Sequence, residues 1–342
     1  MRGKNSREKE SLLIKVYNVI KKYNMINNGD KIILGVSGGP DSICMLKILN
    51  DIRNDKNLHI DFDIIVAHVN HLIREEAYED EEFVKNFCEK ISVPFYSKRI
   101  DVLEIANNTK VGTEEAGRNV RYKFFNDLLK ETKSNKIAIA HNKNDKVETV
   151  IMNILRGSGI SGLKGIEAVK DDKIIRPLIE CERSEIEEYC LENSIEPRID
   201  KTNFENVYSR NKVRNIVIPF IKKEFNQNIV QTIERLSELV EEEEEYFEKE
   251  ISKIYNSILL EENENEKIFD LKKFNQYEKV IKSRLILFII NKLNGNTMGI
   301  EKIHVEDIIK LCEKNIGNKY LMPNKNLKVL VKDGKIYFIK KN

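Results

Sequence analysis

Short apolar runs alternate with longer amphipathic stretches over the first 180 residues of the chain. Continuous apolar runs such as 32–34 and 64–67 are typical of strands buried on both faces of a parallel sheet. The stretches between them have helical length and helical spacing of apolar residues, which predicts an α/β fold with helices on both faces of the sheet. Strands are predicted from 32 and over 63–69, 95–100, 136–140 and 174–178, and helices from 42 and over 75–91, 113–129 and 145–155.

The character of the chain changes near Pro219, after which helical periodicity dominates. A long helical stretch from 229 to 260 contains the acidic run 241–245, which is typical of a solvated helix face and would repel RNA. Further helices are predicted over 277–293 and 303–312, with small hairpins around 324–326 and 333–334.

Length and composition fit a globular chain with more than one domain. The 342 residues are 41% hydrophobic and 33% charged, which allows a substantial core. We predict one domain over 1–215 and a mainly helical second domain, with a small β segment at its end, over 216–342. The apolar run 285–290 is far too short to cross a bilayer, so no membrane association is expected.

Charge and cysteine content narrow the class of protein. A net charge of +2 does not by itself indicate a nucleic-acid-binding protein, so any RNA would have to be held by local basic patches. The five cysteines are scattered without a Cys-x-x-Cys pair, which predicts reduced, buried thiols in a cytoplasmic protein and no zinc or iron–sulfur site. The first residues contain no apolar segment of the kind found in signal peptides.

The loop after the first strand carries the clearest chemical signal. Ser37-Gly38-Gly39-Pro40-Asp41-Ser42 follows a buried strand and opens a helix. Glycines let the backbone approach a ligand, and the helix start presents unpaired N–H groups to a phosphate. There is no lysine as in a Walker-A loop, and Asp41 beside a polyanion indicates an intervening Mg²⁺. The alternative is an ordinary strand–helix turn capped by Asp41 or Ser42.

Two further strand ends place polar groups at the same edge of the predicted sheet. His68 closes one strand and is followed by Arg74, while His141 follows another and leads into Asp145 and Glu148. Ligands of parallel sheets bind beyond the carboxyl ends of the strands, so these residues are candidates for the nucleotide site. His68 is alternatively a satisfied structural histidine. Asp145 fits a helix cap, and Glu148 fits a Mg²⁺ site shared with Asp41.

Arginines supply the candidate anion contacts. Arg118 and Arg121, three residues apart on one helix face, form either a phosphate or RNA clamp or surface ion pairs with neighbouring glutamates. Arg156 opens a glycine-rich segment that is either a mobile loop or a plain linker. Arg210 and Arg214 lie in a short basic cluster suited to phosphate contact.

These motifs together identify a family resemblance. The Ser-Gly-Gly-x-Asp-Ser loop resembles that of the N-type ATP pyrophosphatases, which cut ATP into AMP and pyrophosphate. Over about residues 30–220 the chain resembles the tRNA(Ile)-lysidine synthetases. The strings that carry this resemblance are Ser-Gly-Gly-Pro-Asp-Ser, His-Val-Asn-His-x-x-Arg, Gly-Arg-Asn-Val-Arg-Tyr-x-Phe-Phe, Asp-x-Val-Glu-Thr, Arg-Gly-Ser-Gly-x-x-Gly-Leu, Arg-Pro-Leu, Asp-x-Thr-Asn and Arg-Asn-x-x-Arg.

The resemblance implies a Rossmann-like PP-loop domain and a set of roles. The wobble cytidine of a tRNA(Ile) with a CAU anticodon would be adenylated by ATP at its C2 oxygen, and free L-lysine would then displace AMP. Mg²⁺ would be held by Asp41 and Glu148, a homodimer is allowed, and the catalytic residues would be Asp41, Glu148, Arg118 and Arg121. ATP would contact Ser37, Gly38, Gly39, Pro40, Asp41, Ser42, Ala67, His68 and His141, and tRNA would contact Arg74, Arg121, Arg156, Arg210 and Arg214.

Other functions stay open at this point, and the chain differs from the family pattern in two respects. A tRNA cytidine 2-thiolation protein would need cysteine pairs, an ammonia-using ligase would need a glutaminase, and a nucleotide sensor would not need these acids and arginines. Many relatives carry Asp and Gln where this chain has Asn144 and Lys146, so the metal prediction rests on Asp41 and Glu148. Longer relatives have a further β-rich domain, so the chain is expected to be a short form or a shortened one.

Overall fold

The computed structural model describes residues 11–72, 77–198, 209–314 and 319–341. The chain forms two compact units, Met1–Val240 and Glu241–Asn342. The division falls inside one helix, whereas the sequence places a domain boundary at 215. The assignment of different functions to the segments before and after residue 215 stays a prediction.

The first unit is built on a mainly parallel sheet. Its strands are β1 (Asp30–Gly35), β2 (Phe62–Asn70), β3 (Phe95–Arg99), β4 (Lys136–Ile139), β5 (Val169–Lys170) and β6 (Ile174–Ile175). They lie in the order β3-β2-β1-β4-β6-β5, and among the described strands of this sheet only the β5–β6 pair is antiparallel. The α/β fold predicted from the alternation of segments is confirmed.

Helices precede, connect and follow these strands. They are α1 (Leu12–Lys22), α2 (Pro40–Asn54), α3 (Ala77–Lys90), α4 (Val102–Thr109), α5 (Thr113–Thr132), α6 (Lys143–Leu155), α7 (Arg183–Glu192), α8 (Ser209–Lys212), α9 (Ile218–Glu224) and α10 (Ile229–Ile258). A π-helical turn, Val213–Val217, joins α8 to α9, and α10 contains the division between the units.

The strand order creates a topological switch point between β1 and β4. From β1 the chain moves to β2 and then β3 on one side, whereas β4 pairs with the other side of β1. The loops that leave β1 and β4 therefore diverge and open a crevice at the carboxyl edge, the usual ligand position in such sheets. These loops begin the two segments that contain Asp41 and Glu148.

The helix α5 packs closely against β1 behind this crevice. A Cβ atom at Gly35 would lie 2.8 Å from the Phe125 ring, so only glycine permits this approach. Phe125 belongs to an apolar layer with Ile33, Ile65 and Leu128, and a second cluster packs α1, α2 and α7 on the opposite face. The sheet is thus covered on both faces, as its apolar strands predict.

Some local predictions differ from the structure. The strand expected over 174–178 ends at Ile175, because Pro177 cannot donate to a ladder and the Ile179 N–H turns back to the Arg176 carbonyl. The strand β5 and the helix α4 are not anticipated by the sequence pattern. The part of the predicted helix 75–91 before Ala77 lies outside the described residues.

The second unit combines helices with an antiparallel sheet. The helices after α10 are α11 (Leu271–Asn275), α12 (Lys279–Asn294) and α13 (Lys302–Lys314). The strands β7 (Leu259–Glu262), β8 (Glu266–Asp270), β9 (Lys319–Asn324), β10 (Leu327–Lys332) and β11 (Lys335–Lys340) lie in the order β7-β8-β11-β10-β9. Both predicted hairpins are present, and β7 and β8 enlarge the predicted β segment.

None of the helices in the described part of the chain is long and apolar enough to cross a membrane.

Candidate active site

The loop after β1 wraps around the start of α2. Gly38 has a φ of +95°, a left-handed conformation that favours glycine. The Ser37 N–H donates to the Ser42 hydroxyl over 3.2 Å, and that hydroxyl donates to the Gly39 carbonyl over 3.0 Å. Pro40 occupies the first helical turn, where its missing N–H has no consequence. The loop is thus pre-shaped around a helix N-terminus, a geometry that binds phosphate.

The end of β2 supports the same loop. Ala67 pairs with Gly35 in the sheet and accepts the Val36 N–H over 3.1 Å. The buried His68 donates from Nδ1 to the Val36 carbonyl over 2.8 Å, and burial lowers the pKa of its imidazole. His68 therefore makes a structural hydrogen bond and also borders the loop, so it fixes where the loop begins.

A short hydrogen-bonded chain joins the loops after β1 and β4. Asn142 donates from Nδ2 to Asp41 Oδ1 over 2.9 Å. Asn142 and Asp145 also form a capping box, each side chain accepting the other's backbone N–H over 3.0 Å. Asn142 is therefore the N-cap of α6, and Asp145 has the capping role that its position predicts, as the third residue of the helix. The sequence reasoning missed Asn142, although an Asn three residues before an Asp is a capping signal.

Glu148 lies at the centre of an ion-paired cluster. Its side chain is 1% exposed. Arg214 donates to Glu148 Oε1 over 2.6 Å and to Oε2 over 2.8 Å, and Arg210 donates to Oε2 over 2.9 Å. Both guanidinium groups also reach Asp145 Oδ1, over 3.2 Å from Arg210 and 3.1 Å from Arg214. Two arginines thus neutralise two carboxylates, and both oxygens of Glu148 are occupied.

Asp41 has weaker compensation than Glu148. Burial and the negative charge of Asp145 raise the pKa of Asp41, against the opposing effects of Arg183, Asn142 and Arg214. The Nη2 atom of Arg183 lies 3.9 Å from Asp41 Oδ2, at the limit of an ion pair. The negative charge of Asp41 is therefore only partly balanced by its neighbours, and it lies next to a loop whose shape suits phosphate binding. Such a carboxylate fits a site that binds a cation.

Arg183 is a site residue that the sequence reasoning missed. It opens α7, and its backbone N–H donates to Asn144 Oδ1 over 3.0 Å. Its Nε is buried without a hydrogen-bond partner among the described residues. Asn144, one of the two positions at which many relatives carry another residue, thus still supplies an oxygen that fixes Arg183 beside Asp41.

His141 lies within a group of arginines. Arg176, which is buried, donates from Nε to His141 Nδ1 over 3.0 Å and from Nη1 to the Glu167 carbonyl over 2.5 Å. Burial, together with the charges of Arg176, Arg210, Arg118 and Arg121, lowers the pKa of His141 to about 3. Because the Arg176 N–H can only donate, the neutral ring carries its proton on Nε2 and can donate it to a ligand.

Arg118 and Arg121 approach this group from α5. The Arg118 guanidinium lies 5.3 Å from the centre of the Tyr122 ring, which orients it by a cation–π contact. Both arginines contribute to the electrostatic potential at His141. The structure thus brings Arg118, Arg121, Arg176 and Arg210 around one imidazole, and Arg176 is the member that was not predicted.

We expect the His141 imidazole to stay neutral between about pH 5 and 8, the range in which an ordinary histidine titrates. Its folded pKa is about 3, against an ordinary value of 6.5. The unfolded chain therefore binds the proton first, so the stability that the neutral ring contributes is lost as the pH falls from 6.5 toward 3. Histidine NMR resonances followed against pH test this.

The His141→Gln variant identifies the resonance in those spectra. A midpoint near 6.5 for His141 would contradict the burial and the four neighbouring cations.

The remaining predicted residues are not joined to this cluster. Arg156 is exposed at the end of α6. The glycine-rich segment after it contains a 3₁₀ turn, Ile160–Lys164, and Asn153 donates to the Gly162 carbonyl over 2.8 Å. Arg74 and the Asp-x-Thr-Asn string lie outside the described residues.

The donor set offers carboxylates for a divalent cation. Among the described residues, no group of three or more histidine, cysteine or acidic side chains is arranged to hold a metal ion. Asp41 fits a Mg²⁺ that keeps most of its ligands as water and phosphate oxygens, since its half-buried carboxylate has, within the described part of the chain, only one direct hydrogen bond and a distant arginine to compensate its charge. Glu148 would first have to release an arginine, so its part in a metal site stays a prediction.

Comparisons with known proteins agree with this geometry. A profile of the PP-loop domain family matches residues 9–221. The tRNA(Ile)-lysidine synthase of Clostridium tetani is 45% identical over 94% of this chain and 68% of its own length. That of Clostridium acetobutylicum is 46% identical over 90% and 66%. This chain therefore spans about two thirds of the length of these two relatives.

A shorter relative and a solved structure add to these matches. The tRNA(Ile)-lysidine synthase of Petrotoga mobilis is 39% identical over 82% of this chain and 93% of its own length. A U34-tRNA thiolase structure from Methanococcus maripaludis has a TM-score of 0.53 at 23% identity, covering 66% of this chain and 79% of that one, which shows a shared fold. The chain belongs to the tRNA(Ile)-lysidine synthase family, carbon–nitrogen ligases built on an ATP-binding PP-loop domain.

Proposed function

We propose that this chain joins free L-lysine to C2 of the wobble cytidine in tRNA(Ile) with a CAU anticodon. ATP would first adenylate the C2 oxygen, and the reaction would release pyrophosphate and then AMP. The observation that carries the proposal is the hydrogen bond from Asn142 to Asp41, which joins the phosphate-binding loop to the neighbouring His141 and the arginines around it. Family membership supplies the substrates.

In the first step the cytidine C2 oxygen attacks the α-phosphorus of ATP. An oxygen–phosphorus bond forms, the bond to the β-phosphate breaks, and pyrophosphate leaves with its electron pair. The loop N–H groups at the start of α2 would hold the departing phosphates. Arg118, Arg121 and the His141 Nε2–H would stabilise the charge that develops on the equatorial oxygens.

In the second step the lysine amine attacks C2, and AMP leaves with the oxygen that came from cytidine. The attacking amine must lose a proton. His141 is unsuited to accept it, because its Nδ1 lone pair already accepts from Arg176 and Nε2 is protonated. The His141 side chain would instead donate to the departing phosphate.

Mg²⁺ fits this scheme through Asp41, with Glu148 as the further predicted ligand. When bound, the ion would neutralise part of the polyphosphate charge. In the structure Glu148 instead forms ion pairs with Arg210 and Arg214, so we propose that these three side chains act together. Arg74, Arg121, Arg156, Arg210 and Arg214 remain proposed tRNA contacts, and a cytoplasmic homodimer remains a further prediction.

Thiolation is the less favoured alternative. All five cysteines are buried, and burial raises the pKa of the Cys88, Cys181 and Cys312 thiols to about 12. Sulfur transfer needs accessible thiolates. The likeness to the thiolase structure, at 23% identity, shows the fold alone.

We expect ATP-dependent incorporation of labelled lysine into an unmodified tRNA(Ile) transcript with a CAU anticodon. The label, AMP and pyrophosphate should appear in equal amounts. The assay measures the radioactivity of purified RNA together with released AMP. A transcript with a UAU anticodon, which lacks the target cytidine, is the matched control. Incorporation of sulfide or ammonia in place of lysine would refute the proposal.

A further inference from the structure

The segment from Ser209 to Asn228 presents one face to the candidate site and another to solvent. On the inner face, Arg210 and Arg214 bond to Glu148, and Val213 and Ile218 pack against Val147 in a small apolar cluster. The segment is therefore held firmly in place. Its outer face carries features that neither the site nor the core uses.

Two phenylalanine rings dominate this outer face. Phe220 is 56% exposed and Phe225 is 76% exposed, and their ring centres lie 5.7 Å apart in an edge-to-face arrangement. Neighbouring large apolar side chains that are exposed to water are typical of contact surfaces. The edge contact leaves aromatic area open, so a planar group can stack there.

The backbone that carries Phe225 is fixed. The N–H groups of Phe225 and Asn226 both donate to the Ile221 carbonyl, over 3.0 and 2.8 Å. Asn226 also accepts the Asn228 N–H over 2.9 Å and donates to the Thr232 hydroxyl over 3.1 Å. Little conformational entropy would be lost when such a ring receives a partner.

The charge around the rings is positive. Residues 209–228 contain five basic residues and one acidic residue, in a chain whose totals are 58 and 56. Lys222 and Lys223 lie between the two phenylalanines in sequence and are exposed, with Lys223 paired to Glu224 over 3.0 Å. A concavity of about 640 Å³ is lined by Lys222, Lys223 and Phe225. Exposed aromatic rings interleaved with lysines suit single-stranded nucleic acid, in which rings stack on bases and cations contact phosphates.

The distance of the rings from the candidate site indicates which nucleotides of a bound RNA they would contact. Phe220 follows Arg214 by six residues in continuous helical structure, roughly 9 Å along the axis at 1.5 Å per residue. Stacked nucleotides are spaced by about 3.4 Å. Along the axis, Phe220 thus lies two or three nucleotide spacings from Arg214, and Phe225 contacts Phe220.

We propose that Phe220 and Phe225 form a stacking platform for an unpaired anticodon-loop base near the target cytidine, with Lys222 and Lys223 on the adjoining phosphates. This inference rests on the proposed function, since it needs tRNA as the substrate. It adds a surface to which the sequence motifs assign no role. A stacked base would hold the anticodon loop open while the target cytidine enters the candidate site.

The test uses the full chain and a tRNA(Ile) transcript with 2-aminopurine in the anticodon loop, two or three nucleotides from the target cytidine. Binding to the unaltered chain should quench the fluorescence of this base through stacking. Phe225→Ala should abolish the quench and weaken tRNA binding by about 5- to 100-fold, with a smaller loss for Phe220→Ala. Phe225→Trp should restore both signals. Leu191→Ala, which shortens a side chain that is 79% exposed on α7, is the matched control.

The outcomes separate this inference from the proposed function. If the unaltered chain forms lysidine but Phe225→Ala behaves like Leu191→Ala, the platform is refuted and the function stands. If the phenylalanine variants instead change only the oligomeric state, the surface binds protein and the platform is also refuted. If the unaltered chain binds the transcript with a quench that Phe225→Ala abolishes, but incorporates no lysine, the proposed function fails while the RNA platform stands.

Discussion

Replacing Arg214 with alanine is expected to lower the free energy of unfolding by about 3 kcal/mol. Arg214 donates to both oxygens of Glu148, whose side chain is 1% exposed, and to Asp145. Removing it leaves a buried carboxylate that is compensated by Arg210 through a single hydrogen bond. Urea unfolding followed by circular dichroism measures the change.

Arg210→Ala should cost less, about 1 kcal/mol, because Arg210 makes one bond to Glu148 and its side chain is 29% exposed. Arg156→Ala, an exposed arginine outside the cluster, should change stability by less than about 0.5 kcal/mol. In a double-mutant cycle, Glu148→Gln should recover part of the Arg214→Ala loss. Equal small losses for all three arginine variants would show that the cluster is solvated and contributes little.

The sequence predicts those parts of the structure that are determined by residues close together in the chain. The strand–loop–helix around Gly38 and Gly39 follows from apolar β-branched residues, a left-handed glycine and a proline in the first helical turn. His68, His141 and Glu148 lie near the site because parallel strands end at one edge, which topology alone dictates. Such rules place residues in a region and say little about their partners.

The partners depend on contacts between distant segments. Arg183 approaches Asp41 from the start of α7, and Arg214 reaches Glu148 across 66 positions of the chain. No periodicity or spacing carries that information, so the sequence does not reveal Arg183 and suggests only RNA contact for Arg214. Arg176 stands out in the sequence only as part of Arg-Pro-Leu, although its hydrogen bond to His141 sets the tautomer of that ring.

The second unit shows the same limit for secondary structure. The strand β8 contains Glu266, Lys267 and Asp270, which weakens its alternation. It exists because it pairs with β11 in a register from Asp270–Lys335 to Glu266–Ile339. Its Ile268 and Phe269 are buried there, so tertiary pairing decides the strand.

Asp41→Asn is expected to abolish AMP formation while leaving the fold intact or slightly more stable. Loss of the carboxylate beside the phosphate loop should reduce turnover by at least about 10²-fold. Burial and the charge of Asp145 raise the pKa of Asp41 above its ordinary value of 3.8. The folded state therefore holds the proton more tightly, and stability falls as the pH rises through this window. At neutral pH the charged form costs stability, and asparagine removes that cost. Measurements of ATP–pyrophosphate exchange and of urea unfolding report the two effects separately.

Asp55→Asn supplies the control from the other end of the same helix. Asp55 accepts the Asn57 N–H over 2.9 Å, a cap that asparagine can also make. Its exchange rate and stability should match the unaltered chain. If Asp41→Asn lost stability and activity together, Asp41 would be a structural partner of Asn142. Undiminished exchange would remove Asp41 from the metal and phosphate site. We expect the variant to lose activity but keep or gain stability, because asparagine can still accept the hydrogen bond from Asn142. That combination is typical of a charged residue that serves ligand binding at a cost in stability.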